Sequence, residues 1–66
     1  MKLEILTPIP LEELEELRRR SGAEVSLRLL EVTRRNRIPL NRVLIEGEEG
    51  EVKRFMGSLM RARAGG

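Results

Sequence analysis

The sequence predicts an α+β domain with the element order β-α-β-β-α, and three observations carry that prediction. Polar and apolar residues alternate over Lys2–Leu6 and Glu24–Leu29, the period of half-buried strands, and Asn41–Gly47 reads as a third strand around Val43-Leu44-Ile45. Leu11, Leu14 and Leu17 lie three apart, and Val52, Phe55, Met56 and Leu59 follow i, i+3, i+4, i+7, so two helices each bury one face. Pro8, Pro10, Gly22, Gly47 and Gly50 stand between these segments, where breakers belong. Residues 1–66 read as a single domain without linker, repeat or low-complexity stretch.

The first strand turns Leu3 and Ile5 inward, and Thr7-Pro8-Ile9-Pro10 ends it, because two prolines cannot continue a hydrogen-bonded ladder. Pro10 suits the first turn of the helix that follows. In that helix Glu12, Glu13, Glu15 and Glu16 precede Arg18, Arg19 and Arg20, the order that complements the helix dipole and allows Glu–Arg pairs one turn apart. Gly22 is a natural C-terminal stop. The second strand turns Val25, Leu27 and Leu29 inward, then changes phase at Leu29-Leu30, which calls for a bulge or burial on both faces. Thr33–Pro39 reads as a connection, and Asn41–Gly47 as a third strand antiparallel to the second. The second helix contains Gly57, which costs about 1 kcal/mol relative to Ala unless a neighbour packs closely there.

A right-handed crossover sets strand 1 parallel to strand 2 with strand 3 between them, and both helices then cover one face. The result is a ferredoxin-like β-α-β-β-α sandwich lacking the usual fourth strand: a three-stranded sheet with two helices on one face. Strand 1 becomes an open edge, and Leu6, Leu30 and Leu44 fall on the uncovered face as a candidate oligomer surface. A chain this short buries only about 60% of its unfolded surface, so a homodimer or a protein partner is expected.

Composition narrows the chemistry. The 66 residues include no Cys, His, Asp, Gln, Trp or Tyr. That removes disulfides, thiol chemistry, imidazole acid–base catalysis and the usual zinc and haem ligands. No catalytic, cofactor-binding or metal-binding residue is expected, and the protein reads as non-enzymatic. No apolar run approaches the roughly 20 residues of a membrane helix, and no leader follows Met1, so a cytoplasmic protein without membrane contact is expected. Eleven of thirteen cations are Arg and all eleven acids are Glu, a pattern that fits a thermophile.

Residues 43–59 run from a strand ending in Glu46-Gly47, through acids at Glu48, Glu49 and Glu51, into a helix with Val52-x-x-Phe55. This stretch resembles a segment of ferredoxin-like domains of the acylphosphatase, ACT and NIL types. The resemblance implies their fold and no activity. The acylphosphatase phosphate loop, Gly-x-Val-Gln-Gly-Val-x-Phe-Arg, has no counterpart, and Thr7-Pro8-Ile9-Pro10 stands in its place. The same loop lacks the small residues that admit an amino-acid ligand in ACT-type domains.

The middle third of the chain carries the excess positive charge, with Arg28, Arg34, Arg35, Arg37 and Arg42 against Glu24 and Glu31. Guanidinium groups on a β-hairpin suit phosphates, so these five are candidate phosphate or nucleic-acid contacts. The plainer expectation is a solvated loop whose arginines pair with Glu24, Glu31 and Glu46. No aromatic side chain is available there to stack on bases. Gly47-Glu48-Glu49-Gly50 has the Gly-x-x-Gly spacing of KH domains, but it joins a strand to a helix and carries carboxylates that repel phosphate. Glu48, Glu49 and Glu51 make at best a weak cation site. The Gly65-Gly66 terminus is superficially similar to the tail of ubiquitin-like and sulfur-carrier proteins. The readings rank as a homo-oligomerising or protein-interaction module, then nucleic-acid binding through the hairpin, then a diglycine carrier.

Overall fold

The computed structural model describes residues 1–64, so the Gly65-Gly66 tail lies outside the described residues. The elements are β1 (Lys2–Thr7), α1 (Leu11–Ser21), β2 (Val25–Arg35), β3 (Ile38–Gly47) and α2 (Glu49–Ala64). The sheet order is β1-β3-β2, with β3 antiparallel to both neighbours, so β1 and β2 are parallel edges as the crossover rule requires. Both helices pack on one face, giving the expected small α+β fold, with three strands among the described residues.

The core lies between sheet and helices. Leu14 of α1, Val52, Phe55 and Leu59 of α2, and Val25, Val43 and Ile45 of the sheet are buried together with Ala23. Leu3, Ile5, Ile9, Leu11, Leu17, Leu27 and Met56 surround them half-buried. Local signals place these elements. The Thr7 hydroxyl accepts the Ile9 N–H at 3.1 Å, and the Pro10 carbonyl accepts from Glu13 and Leu14 at the start of α1. Gly22 ends α1 with φ of 72°, its N–H reaching the Arg18 and Arg19 carbonyls, a conformation that favours glycine. Gly47 is required for a different reason: a Cβ there would stand 3.0 Å from the Glu24 carbonyl oxygen.

Two sequence expectations change. Thr33–Pro39 is not a loop, because β2 and β3 stay paired as far as Arg35 opposite Ile38. Only Asn36 and Arg37 turn the chain, both at positive φ (52° and 69°), as a two-residue type I′ hairpin turn needs. Leu29 is on the helix side, opposite Val43, yet it remains 41% exposed because it stands on the edge strand where helix cover ends. The phase change at Leu29-Leu30 is a bulge: Leu29 faces Val43, Glu31 faces Arg42, and Leu30 has no partner.

Candidate functional site

β1 accompanies β3 only as far as Thr7 opposite Asn41. Beyond that point β2 and β3 continue alone as a two-stranded ribbon, which gives the described residues their 34 × 25 × 15 Å shape. Asn41 fixes the base of the ribbon by donating from Nδ2 to the Ile9 carbonyl at 2.9 Å. Pro39 is tolerated in β3 because β1 has ended there and left that side of the strand an edge.

The register decides where each arginine points. Arg35 shares the open sheet face with Ile38, and Arg34 shares the helix-side face with Pro39. Arg37 sits in the turn. The tip therefore gathers Arg34, Arg35 and Arg37 while aiming them in different directions. Arg28, opposite Leu44, lies seven residues back along β2, on the order of 23 Å away, and is not part of the cluster. Arg42 is withdrawn from it. Its guanidinium reaches the Glu31 carboxylate at 3.4 Å and the Glu4 carboxylate at 4.0 Å.

Of the expected pairings of the hairpin arginines with Glu24, Glu31 and Glu46, only Arg42 with Glu31 forms. Among the described residues, Arg28, Arg34, Arg35 and Arg37 make no ion pair. Glu31 is taken by Arg42 and Glu46 by Lys2 at 3.9 Å. The Glu24 backbone N–H donates to the Glu51 carboxylate at 2.8 Å.

The three-leucine face also needs correction. Leu6 and Leu30 are exposed (48% and 43%), but Leu44 is half-buried between Glu4 and Arg28, its partners on either side. The Glu4–Arg42–Glu31 chain and the Lys2–Glu46 pair cross this face, so the leucines do not merge into one apolar patch. Uncovered apolar surface lies on the ribbon instead, at Val32 (58% exposed) and Ile38 (54%). The sequence signal for these is the Asn36-Arg37 pair between two alternating runs, without the glycine that usually marks such a turn.

Two open grooves among the described residues carry no reactive constellation. One, of about 500 Å³ between the helices, is lined by Ile9, Glu13, Glu16, Leu17, Arg20 and Ala62. Its Glu16 carboxyl is held below the usual carboxylate range by the hydrogen bond from Arg19 at 2.8 Å and by the charges of Arg19 and Arg20. In the other, beside Gly47, Glu51 is occupied by the Glu24 amide, while the neighbouring Glu49 pairs with Lys53 at 3.1 Å. No three metal-ligating side chains converge among the described residues. No helix among them is long and apolar enough to cross a membrane.

A family model described as "Uncharacterised protein" matches residues 1–66, the whole chain. The chain belongs to the CHP_AF_0576 family. No curated protein and no solved structure matches it. What this family member can do is therefore read from its own edges, ribbon and charges.

Proposed function

We propose that this member of the CHP_AF_0576 family is a non-enzymatic module that works as a homo-oligomer, associating through its sheet. The observation that carries this reading is the state of β1. It is an edge strand whose inward residues Leu3 and Ile5 stay half-buried, beside an exposed Met1. A second copy would cover that surface and add to a small core. The cysteine-free, Arg- and Glu-rich composition supports a thermophile's cytoplasm as the setting. Sedimentation at micromolar concentration tests the reading: a dimer is expected, and a monomer with a high melting temperature rejects it.

A second reading is favoured by the arginines of the ribbon tip. Arg34, Arg35 and Arg37 have no carboxylate partner among the described residues, and a projecting β-ribbon can lie along a nucleic-acid backbone. Binding of duplex DNA or RNA would then fall steeply with salt and vanish when the three become Ala. Absence of any shift at low salt rejects it.

A further inference from the structure

We infer that β1 pairs antiparallel with β1 of a second copy, in the register that sets Lys2 opposite Glu4 of the partner subunit. The inference rests on the self-association reading and names its surface.

The backbone is the first support. Met1 and Gly47 exchange both hydrogen bonds, the terminal amine to the Gly47 carbonyl at 2.7 Å and the Gly47 N–H to the Met1 carbonyl at 3.1 Å. Bonding alternates along an antiparallel pair, so Leu3, Ile5 and Thr7 also bond to β3. The N–H and C=O groups of Lys2, Glu4 and Leu6 therefore point away from β3, along the open edge. β1 has no bulge in its register and no internal proline to spoil that edge. β2, the opposite edge, is interrupted by the bulge at Leu30.

Charge selects the register. A two-fold axis at Glu4 would set Glu4 against Glu4 of the partner subunit, which like-charge repulsion disfavours. An axis at Ile5 would set Glu4 against Leu6 of the partner subunit and satisfy neither charge. An axis at Leu3 pairs Lys2 with Glu4 of the partner subunit twice, once on each side. Within one chain, Lys2 already pairs with Glu46, and Glu4 with Arg42 and then Glu31. The Leu3-centred register joins these into two symmetry-related rows of alternating sign, each of five charges across five strands. On the helix side the same register sets Leu3 against Leu3 and Met1 against Ile5 of the partner subunit, covering side chains that are half-buried or exposed in one copy.

The test is sedimentation of the full chain and of two charge-reversed variants, Lys2→Glu and Glu4→Lys. Each variant alone sets like charges opposite each other twice, and its self-association is expected to weaken on the order of tenfold or more. Mixed in equal amounts, the two variants set a carboxylate against an ammonium at both contacts of a mixed pair, so the dimer returns. Far-UV circular dichroism checks that each variant folds. Amide exchange on the unaltered chain decides the matter if one does not: Lys2 and Glu4 are expected to exchange slowly and Leu6 fast. A monomeric wild-type chain overturns both the self-association reading and this pairing. A wild-type dimer that ignores both variants, or that protects Leu6 and not Lys2, overturns the β1 pairing and leaves self-association standing.

Discussion

Glu31 faces Arg42 across the sheet, its carboxylate 3.4 Å from the guanidinium, because the bulge leaves Leu30 without a partner. Strict alternation from Arg28 would have put Leu30 on the open face beside Arg42. The bulge brings an acid there, and that acid takes one of the five candidate arginines out of use. Both side chains are about half exposed, so the pair adds little stability. Glu31→Gln is expected to change stability by less than about 0.5 kcal/mol in urea denaturation. If the ribbon binds nucleic acid, Glu31→Gln together with Glu4→Gln frees Arg42 from both its carboxylates, and the log–log salt slope should steepen by about one.

Arg37 holds a positive φ of 69° in the turn, a conformation that costs an L-residue with a side chain roughly 1–2 kcal/mol. Arg37→Gly creates the Asn-Gly turn that a type I′ hairpin prefers. The variant should gain on the order of 1 kcal/mol, raising the melting temperature by about 4–8 °C for a domain of this size. Polyanion binding should weaken in the same variant, so that stability and binding move in opposite directions.

Gly57 and Gly47 respond in opposite ways to alanine. Nothing lies within 4 Å of a Cβ at Gly57, inside α2, so Gly57→Ala should stabilise by about 1 kcal/mol. At Gly47 the added methyl meets a backbone oxygen at 3.0 Å and Val25 Cγ1 at the same distance. Gly47→Ala should destabilise by roughly 1–3 kcal/mol, since the Glu24 carbonyl cannot step aside as a flexible side chain would. Thermal denaturation of the two variants, side by side, checks both signs.

These positions also show how far the sequence could be read. β1, both helices and their buried faces were legible because the periodicity of Leu3–Ile5, Leu11–Leu17 and Val52–Leu59 is local and strong. The ribbon was not. Thr33–Pro39 is mostly polar, contains a proline and lacks the usual turn glycine, so the short alternating runs flanking Asn36-Arg37 are too weak a local signal for strands that cross-strand pairing completes. For the candidate site, the tip arginines were visible as residue types, but their freedom from ion pairs was not. That depends on Lys2 taking Glu46 and Arg42 taking Glu31, contacts between residues far apart in sequence. Leu44 departs from the exposed face that alternation predicts for a related reason: its cover comes from Glu4 and Arg28 on the neighbouring strands.

Glu16 is exposed, and its carboxyl titrates below the usual value of 4.5, through the Arg19 hydrogen bond first and the Arg19 and Arg20 charges after it. A carboxyl depressed in the folded state contributes stability above its unfolded value and loses it as pH falls through the folded one. The melting temperature should therefore decline slightly on acidification below about pH 4.5, and Glu16→Gln should make that decline shallower. A pH series of melts on both proteins measures the difference.

Completion of the sheet by a second copy at β1 is tested most directly by isotope-filtered NMR on a mixture of labelled and unlabelled chains. Opposed side chains at a two-fold axis between antiparallel strands have Cβ atoms about 4.5–5.5 Å apart. Cross-peaks from Leu3 methyls of one chain to Leu3 methyls of the other, accompanied by Ile5 to Met1, are the expected result. Intermolecular peaks arising only from Val32 and Ile38 on the ribbon, or none at all, would contradict it.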